Sequence, residues 1–208
     1  AMGIPRLIAV ATAAVRDAQD GAAFVQELKE KTGQAVLVIK GKEEARLSAQ
    51  GVLLGWPGAY GLICDLGGSS MELAEISDGK VGKRISARIG PLKLRELQGS
   101  AAARQQLIAR SMSKLTAKMG PQHNRLFLVG GSWRALARID MERRAYPLHV
   151  IHEYRMDKDA VHKTAAFLHR SDPENLRIKC GISGARMALL PYAIEVLAAL
   201  VESFAPID

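Results

Sequence analysis

Short apolar runs alternate along the chain with longer segments in which apolar residues recur at helical spacing. The apolar runs cover residues 6–11, 35–39, 62–64 and 125–129. Helical spacing is found at residues 18–32, 42–54, 92–97, 101–119, 157–169 and 183–204. Glycine at Gly33 and Gly120 stands where two of these helices should end. Strands alternating with helices predict an α/β fold.

The middle of the chain carries the most distinctive pattern. Residues 61–76 read GLICDLGGSSMELAEI, which predicts a buried strand, an acidic residue at its end and a turn of small residues. The turn is formed by Gly67, Gly68, Ser69 and Ser70, and alternation resumes at Met71. A second turn signal at residues 77–80 precedes an alternating run at 81–89. The region therefore predicts a three-stranded meander.

The first turn has the composition of a phosphate-binding loop. Two successive glycines let backbone N–H groups approach an anion, and the serine hydroxyls add donors. A carboxylate beside bound phosphate normally needs a cation between them, and oxygen ligands suit Mg²⁺. Asp65 and Glu72 are therefore the candidate metal ligands. The alternative is an ordinary hairpin, in which the same residues only supply turn conformations.

A second strand-to-glycine-to-helix junction follows the run at 125–129. Gly130 and Gly131 precede helical periodicity, and the start of a helix offers free N–H groups and a positive dipole end. This junction predicts a second phosphate or nucleotide contact, and a tight crossover turn is the alternative. His149 and His152 lie beside Glu153, but further zinc ligands are lacking nearby, so we expect these side chains to have a local structural use.

The amino-acid composition indicates which class of partner the chain binds. The chain has 208 residues, 48% of them hydrophobic, which is enough for a sizeable core. The net charge of +8 and the pI near 9.7 indicate a polyanionic partner. Aromatic residues make up only 5%, so a small polyanion is favoured and no nucleic-acid partner is expected. No apolar run is long enough for a membrane span, so no membrane partner is expected either. Two cysteines predict a reducing, cytoplasmic location, and residues 1–3 resemble a tag remnant.

Four motifs in order resemble the Ppx/GppA family of exopolyphosphatases and guanosine pentaphosphate phosphohydrolases. They are VATAAVRDA at 10–18, GKEEARL at 41–47, DLGGSSMEL at 65–73 and VGGSWRALAR at 129–138. The resemblance implies an α/β fold of the ribonuclease-H-like actin and sugar-kinase superfamily. It assigns residues 4–46 to the end of a first domain and 47–208 to most of a second. It also implies Mg²⁺-dependent hydrolysis of a terminal phosphoanhydride bond, with inorganic polyphosphate or guanosine pentaphosphate as substrate.

The resemblance also assigns roles by position. Glu44 resembles the carboxylate that activates the attacking water, and Asp65 and Glu72 resemble the residues around the metal ion. Arg16 resembles a phosphate-facing arginine, a role that suits the guanidinium fork. The phosphate loop of the family matches Gly67, Gly68, Ser69 and Ser70. From the residues alone, Glu44 and Arg16 would be ordinary solvated helix residues.

The sequence also departs from the family pattern. Ser69 replaces a glycine, which requires a negative φ there or backbone strain, and Met71 replaces a threonine. The family's first phosphate loop and C-terminal glycine-rich segment have no counterpart, so we expect a partial chain with weak or no hydrolysis. A catalytically incomplete phosphate-binding module and an actin-like kinase or ATPase are the alternative functions. The apolar helix at 183–204 predicts burial at a domain or homodimer interface.

Overall fold

The computed structural model describes residues 7–120 and 124–207. The predicted tag remnant, the predicted start of the first domain at residue 4 and the first residue of the run at 6–11 lie outside this part. The strands are β1 (Ala9–Ala11), β2 (Val36–Val38), β3 (Gly61–Leu66), β4 (Met71–Ser77), β5 (Lys80–Ala87) and β6 (Leu126–Val129). The helices are α1 (Ala13–Arg16), α2 (Gly21–Thr32), α3 (Gly41–Gly55), α4 (Pro91–Arg95), α5 (Ala101–Met119), α6 (Gly131–Arg143), α7 (Lys158–Arg170), α8 (Pro173–Lys179), α9 (Gly184–Met187) and α10 (Leu190–Phe204).

The strands form two sheets. β1 and β2 pair in parallel as a small sheet, and the larger sheet has the order β5-β4-β3-β6. β3, β4 and β5 form the predicted antiparallel meander, whereas β6 runs parallel to β3. Because β3 and β6 are parallel neighbours, the loops that follow them emerge at the same edge of the sheet. The two glycine turns predicted from sequence are therefore brought side by side.

The larger sheet is covered on both faces. Leu62, Cys64 and Leu66 of β3 face a core built mainly with α5, α6 and α10. Ile63 of β3, together with Ala74 and other residues of β4, faces the second cluster, to which α3 contributes. Since side chains alternate along a strand, Asp65 and Glu72 point to the α3 side of the sheet.

Several predicted elements agree with the structure and others do not. The helix at 101–119 and the left-handed stop at Gly33, with φ of 69°, are confirmed. The prediction of one helix over 183–204 is wrong, because the chain forms α9 and then α10, with Pro191 in the first turn of α10. None of the large apolar side chains of α10 is exposed, so this helix is buried within its own chain. The predicted domain boundary at 46/47 falls inside α3. Across the residues described, no helix is long and apolar enough to cross a membrane.

Candidate functional site

A row of polar side chains crosses the larger sheet beneath α3. Asp65 of β3 is the register partner of Glu72 of β4, and Glu72 is the partner of Ser86 of β5. Directly opposite residues of an antiparallel pair share one face, so all three side chains point toward α3. Glu44 and Ser48 lie four residues apart on α3 and therefore on one side of that helix. The fold thus gathers three carboxylates and two hydroxyls from four elements.

Glu72 is the most deeply buried of these carboxylates, with 1% of the residue exposed. Its Oε1 accepts a hydrogen bond from Ser86 Oγ at 2.7 Å, and its Oε2 has no partner within the described chain. The pKa of Glu72 is raised to about 7, chiefly by burial and also by the nearby charges of Glu44 and Asp65, against the lowering effect of the Ser86 hydrogen bond and of the nearby Ser70 hydroxyl. At neutral pH this carboxyl group is therefore close to half protonated when no cation is bound.

Asp65 is held by a different serine. Ser48 Oγ of α3 donates to Asp65 Oδ2, and burial raises the pKa of Asp65 against this hydrogen bond. The N-terminal end of α3 also packs closely against the sheet, next to Ser86 and Glu72. A Cβ built on Gly41 would lie 2.4 Å from Ser86 Oγ and 3.4 Å from Glu72 Oε1, so only glycine lets the helix start here.

Glu44 is paired with the predicted phosphate-facing arginine. Arg16 Nη1 lies 3.3 Å from Glu44 Oε2 and donates to the Ile39 carbonyl at 2.9 Å. The same guanidinium lies 3.6 Å from Asp17, which also binds Arg88 Nη2 at 3.0 Å. The side chains of Arg16 and Glu44 are only 21% and 16% exposed. The sequence separates these two residues widely, and the pairing of β1 with β2 brings them together.

Several carbonyl groups of the loop after β3 accept hydrogen bonds from within the chain. The Gly67 amide donates to the Ser70 carbonyl at 3.0 Å, and the Leu92 amide donates to the Gly68 carbonyl at 2.8 Å. Within residues 7–120 and 124–207, no acceptor takes the amides of Gly68 and Ser69. The Ser70 hydroxyl is buried without a hydrogen-bond partner there. These unused donors are what an oxyanion requires.

The replacement of glycine by Ser69 costs no backbone strain. Ser69 is not among the non-glycine residues with positive φ in the described chain. Gly68 is needed for space, because a Cβ there would lie 2.8 Å from Leu92 Cδ1. Serine at position 69 therefore adopts a backbone conformation that any residue can take.

The second glycine junction lies against the first. Gly130 has φ of 118°, and a Cβ there would lie 2.9 Å from the Leu66 carbonyl and 3.4 Å from Asp65 Oδ1. Gly131 begins α6, and a Cβ there would lie 2.2 Å from Arg186 Nη1. A guanidinium group thus lies on the positive end of α6, an arrangement that an anion between them would stabilise. No local pattern in the sequence singles out Arg186 for this position.

The residues fit a hard cation only in part. Among the described residues, no group of three or more His, Cys, Asp or Glu side chains is arranged to hold a metal ion. Mg²⁺ is commonly bound by one or two carboxylates, with the remaining ligands supplied by phosphate oxygens and water. Asp65 and the unpartnered Oε2 of Glu72 match that smaller donor set. The proposed metal site is therefore compatible with the structure only if the anionic ligand supplies further oxygens.

Comparison with known proteins identifies the family. The model of the Ppx/GppA phosphatase family matches residues 1–208. The chain belongs to the Ppx/GppA phosphatase family. Exopolyphosphatase 1 of Mycobacterium tuberculosis (strain ATCC 25618 / H37Rv) is 31% identical over 94 residues, which cover 44% of this chain and 27% of that protein. The match to exopolyphosphatase 1 of Mycobacterium leprae (strain TN) is also 31% identical and covers 28% of the relative.

Solved structures of the family share the fold. The Aquifex aeolicus Ppx/GppA enzyme superposes with a TM-score of 0.76 at 20% identity, over 98% of this chain and 70% of that one. An exopolyphosphatase from Cytophaga hutchinsonii superposes with a TM-score of 0.79 at 18% identity, over 97% of this chain and 69% of that one. The fold class expected from the sequence motifs is thereby confirmed.

Proposed function

We propose that this Ppx/GppA chain binds the end of an inorganic polyphosphate and hydrolyses its terminal phosphoanhydride bond, as an exopolyphosphatase-like enzyme. One observation supports the proposal: Glu44 on α3 and two carboxylates of the sheet below it, Asp65 and Glu72, lie together where the two glycine junctions meet. Anion donors and carboxylates in one place are the requirements of metal-assisted phosphoryl transfer to water.

The phosphate groups would be held by donors for which residues 7–120 and 124–207 supply no acceptor. These are the amides of Gly68 and Ser69, the Ser70 hydroxyl, the start of α6 at Gly131 and the guanidinium of Arg186. Arg16 adds a second guanidinium close to Glu44. The net charge of +8 favours the approach of a polyanion toward these groups.

Glu44 is the proposed acceptor of the proton from the attacking water. Its partner Arg16 keeps the carboxylate in place and can also contact the phosphate that is attacked. Asp65 and Glu72 are the proposed ligands of Mg²⁺, which when bound would neutralise phosphate charge and polarise the phosphoryl group. The hydroxyls of Ser48 and Ser86 orient these two carboxylates through direct hydrogen bonds.

Phosphate release and ligand binding, measured separately, test this function. With tripolyphosphate and Mg²⁺, we expect slow release of phosphate that Glu44→Gln abolishes, with tripolyphosphate affinity within about threefold of wild type because the binding donors remain. Glu43→Gln, at the neighbouring position on α3, is the matched control and should keep the wild-type rate. Equal release by wild type and Glu44→Gln, or the absence of tripolyphosphate binding, would contradict the proposal.

Guanosine pentaphosphate is the second proposed substrate, because it presents the same terminal phosphoanhydride bond. Binding without hydrolysis would correspond to a phosphate-binding module and would make tripolyphosphate a ligand only. The free cysteines Cys64 and Cys180 are consistent with the cytoplasmic location that we propose for either function.

A further inference from the structure

Two arginine side chains converge on one carboxylate oxygen at the rim of the candidate site. Arg88 Nη2 lies 3.0 Å from Asp17 Oδ1, and Arg16 Nε lies 3.6 Å from the same oxygen. Asp17 ends α1 and Arg88 directly follows β5, so the contact joins α1 to the larger sheet. Guanidinium groups suit carboxylate and phosphate oxygens alike. Any anionic oxygen at this point is therefore held by two positive charges.

Arg88 lies beside the loop after β3. The residue before it, Ala87, pairs with Met71, the first residue after that loop. The backbone on the other side of Arg88 is also attached there, because the Gly90 amide donates to the Ser69 carbonyl at 3.1 Å. The position of Arg88 in the chain is thus fixed next to the unused donors that would hold phosphate.

The Arg88 side chain is free to exchange one anion for another. It is 76% exposed, and among the described residues Asp17 is its only ion-pair partner. The Arg16 side chain is only 21% exposed and is also bound to Glu44 and to the Ile39 carbonyl. A phosphate chain offers a guanidinium group the same geometry as a carboxylate, with more charge. It can therefore take Arg88 away from Asp17.

We propose that Arg88 is a further phosphate-binding residue of this site, and that Asp17 occupies its guanidinium group until polyphosphate takes the place of the carboxylate. The inference rests on the proposed function, since it takes the loop after β3 as the place where phosphate binds. Asp17 is then an internal competitor of the ligand. The ion pair that it forms with Arg88 lowers the affinity of the site for polyphosphate.

The two partners of this ion pair should respond in opposite directions when tripolyphosphate binding is measured by calorimetry in Mg²⁺ buffer. Asp17→Asn removes the competitor and should tighten binding about threefold, the change expected when a partly exposed ion pair no longer has to be broken. Arg88→Gln removes a donor and should weaken binding about threefold. Because Asp17 masks Arg88, Arg88→Gln should weaken binding about tenfold in the Asp17→Asn background.

Asp20→Asn and Lys83→Gln are the matched controls for the change in net charge. Asp20 follows Asp17 closely and makes no side-chain hydrogen bond at the start of α2. Lys83 lies in the first half of β5 and is 3.7 Å from Glu75. Both controls should keep tripolyphosphate affinity within about twofold of wild type, because exposed charges at a distance are screened. Asp17→Ser is a second way to remove the carboxylate, and circular dichroism reports whether each variant folds.

Weaker binding in both Asp17→Asn and Arg88→Gln would overturn the inference, because the ion pair would then only support the fold. Unchanged affinity in either variant would overturn it as well, and in both cases tripolyphosphate binding by wild type would leave the proposed function intact. Binding by Asp17→Asn that wild type lacks would support the competitor. The absence of binding in wild type and every variant would refute the inference together with the proposed function.

Discussion

Replacing Glu72 by glutamine should change the pH dependence of folding more than any other single substitution at the site. Glu72 is fully buried, and its pKa rises from 4.5 to about 7 because burial penalises the charged form. The folded state therefore binds the proton more tightly than the unfolded chain does. Linkage then requires stability to fall as pH rises from about 4.5 to about 7.

The size of this effect follows from the pKa. Each pKa unit is worth about 1.4 kcal/mol, so the rise at Glu72 corresponds to about 3 kcal/mol of stability lost above neutral pH. Glutamine has the same shape and no charge, and its amide oxygen can accept the hydrogen bond from Ser86. Glu72→Gln should therefore be close to wild type at about pH 4, below the pKa of the unfolded chain, and exceed it by about 3 kcal/mol at about pH 8.

Urea unfolding followed by circular dichroism, in EDTA to remove divalent cations, measures both free energies of unfolding. Glu75→Gln is the matched control on the same strand, because the Glu75 side chain is partly exposed and lies 3.7 Å from Lys83. This control should leave the pH dependence of wild type unchanged. An identical difference between Glu72→Gln and wild type at both pH values would refute the argument that burial raises the pKa of Glu72.

Three further perturbations test other parts of the structure. Gly131→Ala would displace the Arg186 guanidinium, so it should lower tripolyphosphate affinity by the same factor as Arg186→Ala in calorimetry. Asp140→Asn should lower the free energy of unfolding in urea by about 3 kcal/mol, because Asp140 is fully buried and paired with Arg143 at 2.6 Å. A free energy of unfolding equal to that of wild type would refute this. Gly33→Ala should lower the free energy of unfolding by about 1 kcal/mol, because φ at Gly33 is 69° although no atom blocks the methyl group. An unchanged midpoint of urea unfolding would contradict the left-handed conformation at the end of α2.

Local pattern was sufficient for much of the fold. The bounds of α5, the turn between β4 and β5 and the glycine that ends α2 all follow from signals within a few residues. Local pattern failed at 183–204, where apolar periodicity continues across the break between α9 and α10. The apolar periodicity of a sequence indicates which side chains are buried. It does not reveal a short interruption between two helices that are buried in the same core.

Residue patterns along the chain are enough to identify the carboxylates, the two glycine junctions and the motifs of the Ppx/GppA family, and the elements on which they lie. Three contacts could be recognised only from the folded chain: Ser86 lies opposite Glu72, Ser48 donates to Asp65, and Arg186 lies against Gly131. The raised pKa of Glu72 and the ion pair of Asp17 with Arg88 likewise depend on the folded chain. Strand register and helix packing bring together residues that are far apart in the sequence, and burial and electrostatic fields arise only once those residues are in contact.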